Sequence, residues 1–199
     1  MKRAARVVAC GLFAGLASWL MIQRNEIGAA LALSPPPMPT FQIVKARYRP
    51  SEGLLLARDG TPLQAVRQNL LERRGEWVPF AAISPALRAT VIAIEDHRFY
   101  HHAGVDWRAL AGALAQTLHG VPMRGASTLS MQIAALLATA PPTVGRRSLT
   151  RKWQQMRQAW ALERQWHKDE ILEAYLNLAS FRGELVGLGA ASRGLLQDG

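Results

Sequence analysis

Cysteine is almost absent from this sequence, and its scarcity excludes several kinds of site. The one cysteine, Cys10, lies in an apolar N-terminal segment, so an intrachain disulfide and a zinc cluster built on thiolates are both excluded. The sequence also lacks an HExxH motif and a glycine-rich phosphate loop of either common type. Sequence motifs therefore predict no metal site and no nucleotide site.

Acidic residues are the second shortage. The chain has 14 Asp and Glu against 24 Lys and Arg, a formal net charge of +10. A positive net charge of this size favours an anionic partner. Nucleic acid, acidic phospholipid and a phosphorylated substrate are all partners of this kind. With 199 residues, about half of them apolar, the chain is long enough for one domain with a real core plus an anchor.

Charged residues are missing from 7–22, a run just long enough to cross a membrane with help from its flanks. Lys2, Arg3 and Arg6 precede it, which predicts that the N-terminus stays in the cytoplasm. Small residues at 29–32 allow a cleaved signal peptide as the competing interpretation. We favour a single-pass signal-anchor over 1–33, because the apolar run is long for a signal peptide and contains a tryptophan.

The rest of the chain divides into a spacer and one mainly α-helical domain. Prolines make 34–50 an extended linker, and the domain follows over 51–199. An Asp-Gly turn at 59–60 predicts a small β-hairpin. Apolar periodicity and capping residues then predict a series of helices, over 84–95, 106–118, 127–137, 148–166 and 170–178.

Two adjacent carboxylates, Glu95 and Asp96, end the first of these helices. A carboxylate at the end of an apolar segment is partly removed from water, which makes it a better base near neutral pH. Because consecutive residues point in different directions, Glu95 could face a cleft while Asp96 turns back to a backbone group or a histidine, although for the pair taken alone a helix end with solvated charges is the better interpretation.

Two further segments carry polar side chains at helix starts. Ser127, Thr128 and Ser130 open one helix, where free backbone N–H groups suit an anion or sugar hydroxyls, although simple capping by Ser127 also explains them. Four cations lie within 146–152 at the start of the next helix. Cations there oppose the helix dipole unless an anion neutralises them, which favours a bound phosphate.

Taken in order, four motifs resemble the peptidoglycan glycosyltransferase domain, glycosyltransferase family 51. They read Glu-Asp-x-x-Phe-Tyr-x-His-x-Gly at 95–104, Gly-Ala-Ser-Thr-x-x-x-Gln at 125–132, Arg-Lys at 151–152 and Lys-Asp-Glu-Ile-Leu-x-x-Tyr-Leu-Asn at 168–177. Ala126, Met131 and the segment 182–185 are most similar to the 1C-type penicillin-binding proteins.

The resemblance implies a lysozyme-like helical domain on the periplasmic side of the inner membrane. It implies polymerisation of lipid II, in which the 4-hydroxyl of an incoming disaccharide displaces the lipid pyrophosphate of the growing glycan strand. Glu95 would be the catalytic base. By position, the substrate-binding and site-shaping residues would be Asp96, His102, Ser127, Thr128, Gln132, Arg147, Arg151 and Lys152. No resident cofactor is implied, and an Mg²⁺ ion accompanying the pyrophosphate is left open.

The sequence departs from the family pattern at several points. Gln155 stands where a second glutamate is usual, so its charge would be lost or taken over by Glu163, and Ala135 replaces an expected basic residue. The pattern of later helices is cut short at Gly199. The sequence has no Ser-x-x-Lys, Ser-Asp-Asn or Lys-Thr-Gly motif of a penicillin-binding transpeptidase site.

These departures keep other functions open. One is a catalytically impaired, membrane-anchored scaffold that binds lipid II or cell-wall synthesis proteins. Another is a lysozyme-like hydrolase, which also needs one glutamic acid but gives the cations of 146–152 no phosphate to bind. Binding to nucleic acid rests on net charge alone and is not expected, because the recognised motifs are absent.

Overall fold

The structure is a computed structural model that describes residues 37–69, 71–118, 127–138 and 149–196. The expected anchor at 1–33 and Arg147 lie outside these residues. Among the residues described, no helix is both long and apolar enough to span a membrane.

The described residues form seven α-helices, five short β-strands and two 3₁₀ turns. The helices are α1 Phe41–Arg47, α2 Pro85–Glu95, α3 Trp107–Leu118, α4 Leu129–Leu137, α5 Leu149–Glu163, α6 Lys168–Leu178 and α7 Leu188–Leu196. The strands are β1 Glu52–Leu56, β2 Pro62–Arg67, β3 Arg73–Arg74, β4 Ser180–Arg182 and β5 Leu185–Val186, and the 3₁₀ turns are Phe80–Ala82 and Phe99–His101. The predicted mainly α class with a small hairpin is confirmed.

Helix starts follow the capping chemistry of the sequence with two corrections, at α4 and at α6, and α6 begins at Lys168 rather than at 170 because His167 is its cap. The Asp106 carboxylate accepts the N–H groups of Arg108 at 3.0 Å and Ala109 at 3.1 Å, which caps α3 as predicted. Helix α4 begins two residues later than expected, because Thr128 rather than Ser127 is its cap. The Thr128 hydroxyl accepts the N–H of Met131 at 3.1 Å.

The core lies where α4, α5 and α6 pack together. Helix α4 is apolar on nearly all sides, and Leu129 and Ile133 are completely buried. Leu162 of α5 and Leu172 and Leu176 of α6 are also completely buried and face it. This packing sets the start of α4 against the end of α2, where the two carboxylates lie.

The segment 34–50, expected to be a linker, contains helix α1. Phe41 is buried and makes edge contacts with Trp77 and Trp166, at ring-centroid distances of 6.1 and 5.3 Å. A seven-residue helix carries little periodicity of its own. Helix α1 is stabilised by the packing of Phe41 against Trp77 and Trp166. The sequence of the helix alone does not predict this packing.

The C-terminal part also holds structure that the sequence analysis left unassigned. Strand β5 pairs antiparallel with its neighbour β4 and parallel with β3, and the β3–β5 pairing joins residues more than a hundred positions apart. Gly187 follows β5 with φ of 78°, and a side chain there would collide with the carbonyl of Asn177 on α6. The glycine therefore allows the sheet to approach the end of α6.

Gly187→Ala should cost more stability than Gly183→Ala. Both glycines have positive φ, so each alanine incurs about 1–2 kcal/mol of backbone strain. Gly183 has open space around it, whereas Gly187 faces the Asn177 carbonyl, and such overpacking adds about 1–3 kcal/mol. Urea unfolding of both variants measures the difference, and equal losses would contradict the close contact.

Candidate active site

Glu95 is the last residue of α2, and its side chain is exposed. The Gln132 side-chain amide donates a hydrogen bond to Glu95 Oε2 at 3.0 Å and thereby orients the carboxylate. The sequence had suggested partial removal of this carboxylate from water. The structure instead leaves it accessible, because α2 ends at the surface of a cleft.

Asp96 turns in the opposite direction and is buried, as the sequence predicts. Its Oδ2 accepts the N–H of Leu129 at 3.0 Å, and both of its oxygens lie within hydrogen-bond distance of His102 Nε2, at 2.9 and 3.0 Å. The side chains of Asp96 and His102 are only 4% and 5% exposed. This pair therefore ties the end of α2 to the start of α4.

The hydroxyls that precede α4 have different surroundings. Thr128 is buried, and its hydroxyl donates to the Gly104 carbonyl at 2.6 Å. Ser127 is exposed, and its Oγ accepts a hydrogen bond from Lys152 Nζ at 2.6 Å. Ser127 therefore faces the solvent side of the cleft, while Thr128 closes the loop that carries the first motif.

The Glu95 side chain lies between two cavities. One, of about 170 Å³, is lined by Ala93, Ile94, Glu95, Asp96, His97, Asp106, Ala109, Ser127 and Thr128. The other, of about 210 Å³, is lined by Val91, Ile94, Glu95, Tyr175, Ala179, Ser180 and Phe181. A carboxylate in this position can contact two bound groups at once.

Tyr175, which the sequence pattern did not mark as a site residue, lines the second cavity together with Glu95. Burial raises the pKa of the Tyr175 phenol, and the negative charge of Glu95 raises it further. The tyrosine therefore keeps its proton and remains a hydrogen-bond donor beside the carboxylate. Tyr175 lies within the fourth motif, but on a helix whose apolar spacing made it a core residue.

Cations approach the first cavity from the start of α5. Lys152 reaches the cavity through its bond to Ser127. Arg151 lies beside it in the first turn of α5 and is half-buried. The structure thus brings Lys152 into the same cleft as Glu95.

The altered family positions lie on α4 and α5. Ala135 is exposed, and Gln155 is half-buried. Glu163, the residue that sequence analysis considered as a replacement for the missing charge, lines neither cavity beside Glu95. Its carboxylate is bound instead by Ser130 and Lys168. Glu163 therefore does not replace the missing charge in the cleft.

Metal ligands were not predicted by motif. Among the described residues, no group of three His, Cys, Asp or Glu side chains is placed to hold an ion.

Comparison with known proteins places these features in a family. Residues 59–198 match the Transglycosylase family. The chain is 41% identical over 138 residues to a biosynthetic peptidoglycan transglycosylase of Rhodospirillum centenum, covering 67% of this chain and 57% of that protein. It is 34% identical over 165 residues to a protein of the same name from Aeromonas hydrophila, covering 83% and 61%.

A third similarity is to penicillin-binding protein 1C of Escherichia coli, at 38% identity over 163 residues, covering 78% of this chain and 19% of that protein. The chain belongs to the Transglycosylase family, which confirms the resemblance drawn from the four motifs. It spans about half the length of the biosynthetic transglycosylases that it matches.

Proposed function

We propose that this protein is a peptidoglycan glycosyltransferase that polymerises lipid II into glycan strands. The observation that carries the proposal is the position of Glu95, an accessible carboxylate between two cavities, within a family whose relatives are named biosynthetic peptidoglycan transglycosylases. Two sugar-bearing substrates must meet at such a base. Ile94 and Glu95 at the end of α2 both line the two cavities, and Glu95 is the one of the two that can accept a proton.

In the proposed reaction Glu95 accepts the proton of the 4-hydroxyl of the incoming disaccharide. The oxygen then attacks the anomeric carbon of the growing strand, and the bond from that carbon to the lipid pyrophosphate breaks. Gln132 holds the Glu95 carboxylate in position through its 3.0 Å hydrogen bond. Lys152, beside Ser127, stabilises the departing pyrophosphate, and Arg151 and Arg147 are assigned the same task.

Asp96, His102 and Thr128 are assigned to positioning rather than to direct contact with substrate. Each is held by bonds within the protein, and Asp96 and Thr128 are 7% and 2% exposed. Ser127 and Gln132 are the accessible polar side chains of the second motif, and we assign contact with sugar or phosphate to these two.

The proposed location is the inner membrane, with the domain on the periplasmic side and the anchor at 1–33. The net charge of +10 then has a physical purpose, since it keeps the cleft close to anionic phospholipid and to a lipid-linked pyrophosphate. Lipid II, the nascent glycan strand and membrane phospholipid are the proposed partners.

The test is incubation of the full chain with fluorescently labelled lipid II in detergent, with added Mg²⁺ or with a chelator. We expect polymeric glycan on a gel. Binding of lipid II without polymer would favour the scaffold function, for which Ala135 and Gln155 are the supporting departures. Shortening of preformed glycan without polymerisation would favour a hydrolase.

A further inference from the structure

A partly buried ion pair, Glu163–Lys168, links three helices to the first motif. Glu163, at the end of α5, is 8% exposed, and Lys168, the first residue of α6, is 22% exposed. Their charged atoms are 2.7 Å apart. The Glu163 oxygen that Lys168 contacts also accepts a hydrogen bond from the hydroxyl of Ser130, a completely buried residue of α4.

The Lys168 ammonium group also holds the segment that follows Glu95. It donates to the His102 carbonyl at 2.7 Å and lies 4.5 Å from the centre of the Phe99 ring. Phe99 is the first residue of the 3₁₀ turn of the first motif and His102 follows its last residue, and Phe99 is completely buried. One cation thereby restrains both ends of this turn.

The restraint continues to the carboxylates of the cleft. The His102 ring binds Asp96, and Asp96 accepts the N–H of Leu129. Asp96 is directly bonded in the chain to Glu95, so its orientation sets the backbone from which the Glu95 side chain extends. A continuous series of contacts leads from Lys168 to the proposed base.

Burying a charged pair is costly, and apolar side chains of similar volume often pack as well or better. A buried pair is therefore weak evidence for stability alone, and its other contacts indicate its purpose. Here Lys168 contacts the His102 carbonyl and the Phe99 ring of the first motif. Glu163 accepts a hydrogen bond from the Ser130 hydroxyl of the second motif.

We propose that Glu163 and Lys168 are positioning residues for the reaction, holding the 96–102 segment so that Glu95 faces both cavities. The proposal rests on the proposed function for its kinetic consequence. Its structural part is that the pair keeps Asp96 hydrogen-bonded to the Leu129 N–H. This part does not depend on whether the protein is active. Both parts are open to measurement in the same variants.

The central variant is Lys168→Met/Glu163→Gln, which removes the ion pair without leaving one charge buried alone. We expect kcat for lipid II polymerisation to fall on the order of 10-fold while KM changes less than about 2-fold, because misplacement of a base affects the chemical step more than binding. The matched control is Lys45→Met, which breaks another partly buried pair, Lys45–Glu173, also with a carboxylate 8% exposed. This control should keep the wild-type kcat.

Hydrogen exchange supplies a readout that does not need activity. The Leu129 N–H donates to Asp96, and the Val78 N–H donates to Asn177 at 2.7 Å and serves as a reference in another part of the fold. In the double variant we expect Leu129 exchange to accelerate at least about 10-fold relative to Val78, whereas Lys45→Met should not raise that ratio.

Equal acceleration at both amides, or an unchanged Leu129 amide with wild-type kcat, would overturn the positioning role. If the wild-type chain makes no polymer, the proposed function fails, and the exchange ratio still decides whether the pair restrains Asp96.

Discussion

Glu95→Gln should lower the rate of lipid II polymerisation by about 100-fold or more, because general-base catalysis contributes roughly that much and an amide cannot accept the proton. Glutamine keeps the size of the side chain and can still bond with Gln132. The Glu95 side chain is exposed, so thermal unfolding should be unchanged. Initial rates with labelled lipid II, together with a melting curve, measure both effects.

The matched control is Glu76→Gln, which removes another exposed carboxylate that lines neither cavity beside Glu95. This variant should polymerise at the wild-type rate. A Glu95→Gln variant that keeps more than a tenth of the wild-type rate would show that another group accepts the proton. The assignment of Glu95 as base would then be wrong.

Glu173→Ala is expected to have the largest effect on stability. The Glu173 carboxylate accepts hydrogen bonds from Trp77 Nε1 at 2.6 Å, from the Phe80 N–H at 2.7 Å and from Lys45 Nζ at 2.8 Å. Alanine leaves the Trp77 and Phe80 donors without their acceptor, and such losses cost about 1–3 kcal/mol each. We expect urea unfolding at pH 7 to show a total loss of about 2–6 kcal/mol.

The comparison variant is Glu184→Ala, which breaks the exposed pair between Arg67 and Glu184. Both partners are 38% exposed, so the loss should stay below about 1 kcal/mol. Similar losses for the two variants would contradict the importance of the buried carboxylate.

The same carboxylate should make stability depend on pH. Burial raises the pKa of Glu173, but hydrogen bonds from Lys45, Trp77 and Phe80 outweigh it, and the pKa is lowered below its model-compound value of 4.5. The unfolded chain therefore binds the proton more readily, and the stabilisation is present above about pH 4.5 and is lost as the pH falls. Unfolding measured from pH 7 to pH 3 should show a shallower decline in Glu173→Ala than in wild type.

The sequence by itself determined the class of fold and the family. Ser84-Pro85 and Asp106 predicted helix starts from neighbouring residues alone, and Asp106 caps its helix through its carboxylate, whereas Ser84 precedes α2 without a side-chain capping hydrogen bond. The ordered motifs identified the family because their residue types and spacing are properties of the chain alone. The adjacent carboxylates at 95 and 96 allowed one side chain to turn inward while the other faces a cleft, but the pair alone left solvated charges as an alternative.

Only the tertiary structure decided which partners those side chains have. The exposure of Glu95, its position between two cavities and the approach of Tyr175 depend on how α2, α4 and α6 pack, and no local pattern contains that packing. The same holds for α1, which needs Trp77 and Trp166 to complete its core, and for strands β3 and β5, which meet from distant parts of the chain. Glu163 and Lys168 are five positions apart in sequence, yet their shared contacts with α4 and the first motif arise only when the helices have packed.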